Sequence, residues 1–331
     1  MVPLETDVSA GREALLKSAR LVAGVFLCAL AAGCASFTPQ TRSLANERPE
    51  GVPSVRELTE VPFFPQSEYQ CGPAALATAL VAAGVKVTPE ELVPEVYLPE
   101  RKGSLQVEML AAARRHGLVS YQLAPSYADL LREIAAGTPV IVLQNLGLRE
   151  GWHYAVAIGY DYGNGMLQLR SGQNERQELP FAMHELVWKR SGYWAMVAVP
   201  PERIPASANE GRWLAAITAL ERAGGLAAAR TAYSTFLERW PANVNAAVGL
   251  ANTQHALGDL PGAERTLRAA TERDPDSVVV LNNLAQTLSD QGRDQEALVF
   301  IDRAVEAQGP FAEATRKTRE EILQKISQKK N

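Results

Sequence analysis

Cysteine is scarce in this chain: of 331 residues only Cys28, Cys34 and Cys71 carry a thiol. So few thiols exclude a disulfide-stapled framework and a cysteine-rich metal centre. Histidine is almost as rare, and His116, His184 and His255 have no cysteine, histidine or carboxylate at ligand spacing. No metal site is readable, and no glycine loop of the kind that cradles phosphate; no cofactor is expected. Positive charge is not in excess either. A net charge of −4 without a basic cluster argues against nucleic acid as a partner. Long apolar runs are limited to one stretch, Leu21 to Ala32, which is too short to cross a bilayer comfortably.

That stretch has a different reading. Arg12, Lys17 and Arg20 precede it, giving the charged and apolar regions of a signal peptide. It ends in Ala31-Ala32-Gly33-Cys34, which resembles the lipobox of bacterial lipoproteins. The resemblance implies that residues 1–33 are removed and that Cys34 becomes the lipidated first residue. Ser36, not aspartate, lies two places beyond Cys34, which by the same resemblance favours the outer membrane, facing the periplasm. An ordinary signal peptide with an incidental cysteine is the alternative. With Cys28 discarded and Cys34 acylated, Cys71 is left as the single thiol, without a partner for a disulfide.

The surroundings of Cys71 suit a nucleophile. Gly72 and Pro73 follow it, then the helical run Ala74 to Leu80. Proline is well placed in a first helical turn, so Cys71 is expected at a helix N-terminus, facing unpaired backbone N–H groups. The partial positive charge there favours a thiolate, and a lowered thiol pKa is expected. Further on, Gly151-Trp152-His153 opens the apolar run Tyr154 to Tyr160, read as a buried strand with a histidine at its start. A thiol heading a helix and a histidine on a later strand outline a cysteine peptidase.

Composition divides the chain. Residues 34–55 are polar and contain prolines, as a tether should. Residues 56–200 read as helices at about 72–84, 104–117 and 127–137, followed by strands at 139–144, 153–160, 166–170 and 192–199. Tyr162-Gly163-Asn164-Gly165 reads as a hairpin turn. Helices first and an antiparallel sheet after is an α+β layout. Residues 201–209, rich in proline and small residues, read as a linker. Beyond it Gly224, Gly258 and Gly292 recur every 34 residues, as do Ala229, Ala263 and Ala297, and Pro241 and Pro275. That period is the signature of tetratricopeptide repeats, an all-α solenoid; three are expected over 210–310, capped by a helix at 311–327. Their concave surface is expected to display Asn245, Val248, Asn252 and His255, then Val279, Asn282, Gln286 and Ser289. Amides among small apolar residues suit an extended peptide backbone.

Residues 60–200 resemble the peptidase C39-like family, a compact branch of the papain-like fold. On that resemblance Cys71 matches the nucleophile and His153 the base. Gln66, in Phe64-Pro65-Gln66, matches the oxyanion-hole donor, with the Cys71 N–H as the second. The family places aspartate or asparagine at the end of the next strand to hold the imidazole. Here that position is Ser171, with Asn174 three residues on, and Asp161 a poorer candidate. The expectation is a lipid-anchored cysteine peptidase of peptide or protein substrates, whose repeats recruit a protein partner. A peptide-binding scaffold without chemistry, and an acyl or amide transferase on the same Cys–His core, are the alternatives.

Overall fold

A computed structural model describes residues 37–66, 70–148, 151–307 and 309–329. The segment expected to be a signal peptide, and Cys34, the expected lipidation site, lie outside the described residues. The chain opens with helix α1 (Pro39–Asn46) and a short strand β1 (Val55–Glu57). Helices α2 (Cys71–Ala82) and α3 (Pro89–Val96) follow, then the small hairpin β2 (Tyr97–Leu98) and β3 (Gly103–Ser104). Next come α4 (Gln106–Arg115), β4 (Val119–Gln122) and α5 (Tyr127–Ala135). The sheet is then completed by β5 (Val140–Asn145), β6 (Trp152–Asp161), β7 (Met166–Ser171), β8 (Asn174–Pro180), helix α6 (Phe181–Trp188) and β9 (Ala195–Val199).

Strand order is β4-β9-β5-β6-β7-β8, with antiparallel pairing throughout. The ten-residue β6 is the hub. Its first half pairs with β5, its second half with β1, and β7 lines its other edge. Helix α2 packs against it. Every residue of α2 from Gly72 to Leu80 is buried, which is why the helix is small and apolar on all sides and shows no amphipathic stripe. Strand β8, Asn174 to Pro180, is missing from the sequence reading because its residues are polar; it is a mostly exposed edge, where charged side chains guard an open ladder.

Two segments read as loose are packed. Within the stretch taken as a tether, 34–55, α1 docks on α5 and α6 from Pro39 on, burying Leu44, and Val52 is buried beyond it. The fully buried Glu185 of α6 accepts hydrogen bonds from the Gln40 and Thr41 N–H groups and from the Thr41 hydroxyl, capping α1 from outside the helix. The stretch taken as a linker, 201–209, is likewise fixed. Buried Glu133 accepts from both the N–H and the hydroxyl of Ser207. Polar composition suggested freedom, and buried carboxylates from other elements supply the partners.

Helices α7 (Glu210–Arg222) and α8 (Leu226–Arg239), α9 (Val244–Ala256) and α10 (Leu260–Arg273), and α11 (Val278–Asp290) and α12 (Asp294–Glu306) form three hairpins, followed by α13 (Ala312–Gln328). Gly224, Gly258 and Gly292 each have φ between +81° and +88°, where glycine alone is unstrained, and so end the first helix of each pair. Ala229, Ala263 and Ala297 are fully buried between helices. The first hairpin shares one core with the sheet: Trp213 of α7 is completely buried, its ring edge-on to Tyr121 of β4 at 5.8 Å between centroids.

Candidate active site

Cys71 is the first residue of α2 and the only cysteine among the described residues. Backbone N–H groups of Tyr154, Gly72 and Cys71 itself are directed at its sulfur. Burial nevertheless dominates and pushes the thiol above its ordinary value, the three N–H groups only partly offsetting it. This corrects the expectation of a helix-lowered pKa: the helix terminus is present, but it is enclosed. Gly72 is required by contact. A Cβ there would lie 2.1 Å from Ser104 Oγ and 2.5 Å from Ser104 Cβ.

The Tyr154 N–H brings the sulfur to the strand residue that directly follows His153. The Tyr154 hydroxyl donates to the Ser104 carbonyl at 3.2 Å, tying β6 to the β3 end beside Gly72. On β6, Trp152 is exposed and His153 half-buried, so the imidazole stands where the strand emerges from the core. Its Nε2 lies 3.0 Å from Ser171 Oγ at the end of β7. Ser171 is buried, so this hydrogen bond forms away from competing water.

Gln66 is held by the turn that follows Ser171. Its N–H donates to the Gly172 carbonyl at 3.0 Å, and its Oε1 accepts from the Gly172 N–H at 3.1 Å. Its Nε2 donates to the Tyr154 carbonyl at 3.4 Å, and its own carbonyl accepts from Gln173 Nε2 at 2.6 Å. Gly172 has φ +59°, the left-handed value this two-residue hairpin between β7 and β8 needs. The same turn therefore ends the Ser171 strand and clamps Gln66.

Ser171 and Gln66 are thus brought to the elements that carry His153 and Cys71. Asn174 is not: it is exposed and pairs across the hairpin with Ser171. Asp161 lies at the far end of β6, where its carboxylate accepts from the backbone and side chain of Asn164 in its own turn. Tyr154, Gly172 and Gln173 were missed by the sequence reading. They act largely through backbone groups or a turn, and residue type carries little signal of that. The other histidines are occupied elsewhere: His116 with Glu95, His255 with Asp290, and buried His184 with the Tyr127 hydroxyl. Burial drives His184 down to about 3 and keeps it neutral.

In the repeats, Asn252, His255, Asn282 and Gln286 line a cavity of about 290 Å³. Ser289 does not reach it; it is buried, hydrogen-bonded to Asp294 and to Lys325 of α13.

Comparison with known proteins agrees with this layout. Residues 58–196 match the Peptidase_C39 like family, and residues 214–278 and 256–313 match the tetratricopeptide repeat. No curated protein matches the chain. Among solved structures, a putative C39-like peptidase from Bacillus anthracis is similar at 18% identity, covering 44% of this chain and 98% of its own, with a TM-score of 0.38. A double glycine motif protease from an AMS/PCAT transporter, in complex with the leader peptide, is similar at 19% identity over 43% of this chain and 96% of its own, TM-score 0.34. The TPR2B domain of yeast Sti1, in a pHsp70 complex, is similar at 19% identity over 33% of this chain and 90% of its own, TM-score 0.32.

Proposed function

We propose that this chain, a peptidase C39-like domain followed by tetratricopeptide repeats, is a cell-envelope cysteine peptidase in which Cys71 is the nucleophile and His153 the base. The observation that carries the reading is the convergence of the Cys71 sulfur on the Tyr154 N–H and of His153 Nε2 on Ser171. In this mechanism Nε2–H donates to Ser171 and Nδ1 is the nitrogen that takes the thiol proton. The thiolate attacks the peptide carbonyl carbon, and the Cys71 N–H and the Gln66 amide stabilise the resulting oxyanion. Collapse breaks the C–N bond, the imidazolium gives its proton to the leaving amine, and a thioester remains. Water, deprotonated by His153, hydrolyses the thioester and releases the acid and the thiol. Because burial disfavours an isolated thiolate, the proton transfer to His153 supplies the charge partner that the enclosed helix terminus does not.

Iodoacetamide labelling of Cys71 across pH tests this. The unmodified chain is expected to react through a limb lying below the free-thiol value of about 8.5, and His153→Ala to react only above it. A profile that His153→Ala leaves unchanged removes the peptidase reading and favours a second one, a peptide-binding scaffold. Ser171, which carries no charge where the family has a carboxamide or carboxylate, is the feature that favours that second reading.

Lipid on Cys34 would hold the enzyme to the outer membrane, and the cavity at Asn252 and Asn282 would engage an extended peptide of a partner. Cys34→Ser is expected to abolish fatty-acid labelling and release the chain into the periplasm. Unchanged membrane association would exclude the anchor.

A further inference from the structure

Large apolar side chains left in water collect at one end of the sheet domain, where the chain arrives from Cys34. Phe37 is the first described residue, separated from Cys34 only by Ala35 and Ser36, and it is 58% exposed. Its place is fixed by Lys189, whose Nζ donates to the Phe37 carbonyl at 2.7 Å and stands 5.1 Å from the centre of the ring. The next residue, Arg190, is exposed, and its guanidinium donates to the Asn145 carbonyl at the end of β5 at 3.0 Å. Asn145 pairs with Trp152, the first residue of β6, which is 57% exposed. The connection between these strands is closed by the Leu146 N–H donating to the Gly151 carbonyl at 2.8 Å, and it carries Leu148 completely exposed. An unbroken series of contacts thus runs from Phe37 through Lys189 and Arg190 to Trp152 and the Leu148 turn.

Exposed apolar residues scattered singly need no explanation, but these three share one face with two cations. Lys189 and Arg190 donate to main-chain carbonyls, and neither has an ion pair among the described residues. Leu148 projects from the body, the reverse of the concave surface that a small ligand fills. Aromatic and aliphatic tips interleaved with unpaired cations match the boundary between anionic phosphates and acyl chains. The course of the chain selects the same occupant, because whatever holds Cys34 lies next to this face.

We propose that this face docks on an anionic phospholipid surface: Phe37, Leu148 and Trp152 enter the lipid interface while Lys189 and Arg190 pair with phosphate groups. The proposal rests on the reading that lipid on Cys34 anchors the chain, and it adds which side of the domain meets the membrane. Trp152 immediately precedes His153, so docking sets the candidate catalytic imidazole beside the lipid.

The test supplies the anchor chemically, so its outcome does not depend on whether a cell acylates Cys34. The chain from Cys34 to Asn331, carrying Cys71→Ser, is coupled through its remaining thiol to a maleimide phospholipid. The vesicles contain phosphatidylethanolamine, phosphatidylglycerol and a brominated phosphatidylcholine that quenches tryptophan. Fluorescence is expected to be quenched, and Trp152→Phe to remove the quenching, since Trp188, Trp194 and Trp213 are buried in the core. Lys189→Gln with Arg190→Gln is expected to reduce quenching at least about threefold, as are vesicles without phosphatidylglycerol. Phe311→Trp, introduced into the Trp152→Phe chain at the start of α13, is expected to remain unquenched. Quenching no greater than in the Trp152→Phe chain overturns the proposal and leaves the face to a protein partner. Quenching that survives the loss of both cations overturns it too, as does equal quenching at Phe311→Trp, which a domain tumbling about its anchor would give. Fatty-acid labelling of the unmodified chain reports on the anchor alone, so its failure rejects the lipoprotein reading while quenching at Trp152 still upholds the docking face.

Discussion

Replacing Gly72 with alanine sets two opposed effects against each other beside the nucleophile. In an ordinary helix interior this change gains about 0.5–1 kcal/mol from backbone entropy. Here the added Cβ falls 2.1 Å from Ser104 Oγ and 2.5 Å from Ser104 Cβ. Rotation of the serine side chain can remove the first overlap but not the second, because the Cβ position is fixed by the backbone. The β3 end must move, and its carbonyl is the acceptor for the Tyr154 hydroxyl. Overpacking of this kind costs about 1–3 kcal/mol, so the clash outweighs the propensity gain and leaves a net loss of about 0.5–2 kcal/mol. For a domain of this size the melting temperature of the sheet domain is expected to fall by about 1–8 °C. Ser104→Gly deletes both obstructing atoms, so in that background Gly72→Ala is expected to be neutral or stabilising, a coupling of about 1–3 kcal/mol in a double-mutant cycle. Calorimetry of the four proteins measures it. A Gly72→Ala chain as stable as the parent, or one whose loss Ser104→Gly leaves untouched, would refute the steric argument.

Three further outcomes are expected. Ser171→Ala removes one neutral hydrogen bond to His153 and should slow iodoacetamide labelling of Cys71 near neutral pH by about three- to tenfold, while Ser171→Asp should keep or raise the rate; damage from Asn174→Ala with a silent Ser171→Ala would reassign the orienting residue. Glu185→Ala leaves the Gln40 and Thr41 N–H groups and the Thr41 hydroxyl without their carboxylate, so trypsin should cut after Arg42 at least about tenfold faster, seen as a mass-defined fragment; an unchanged cleavage rate would show that α1 is held by its apolar contacts alone. In the repeats, burial works to raise Glu264, but Arg293, Arg268 and Gln291 outweigh it and hold the carboxyl down at about 2. A depressed carboxyl stabilises the fold above its unfolded value near 4.3 and loses that contribution as pH falls toward 2, so melting curves over that range should show the loss, and Glu264→Gln should flatten it.

What could be read in advance, and what could not, follows from how each signal is carried. The repeats were legible because glycines forced to positive φ and alanines forced between helices recur at a fixed period, as Gly258 and Ala263 show. Cys71 was legible because a glycine and proline after a thiol mark a helix start. Its raised pKa was not, since enclosure by β6 and the β3 end is a tertiary fact. The clamp on Gln66 comes from main-chain groups of Gly172, to which residue type is nearly blind. The docking of α1 and of residues 201–209 was hidden for a related reason: Glu185 and Glu133 were written as ordinary acidic residues of helices, and only folding shows them buried as acceptors for distant N–H groups.

The fixing of α1 sets a leash length. A flexible tether over 34–55 would let the domain roam tens of ångströms from an anchor at Cys34. With the chain immobilised from Pro39, only five residue steps separate the anchor from the folded body. At most about 3.3–3.6 Å per residue, that is a reach of about 17 Å. A lipid at Cys34 would therefore ride the domain on the headgroup layer with its orientation restricted, and the substrates in range would be those presented at the bilayer surface or carried there by the repeats.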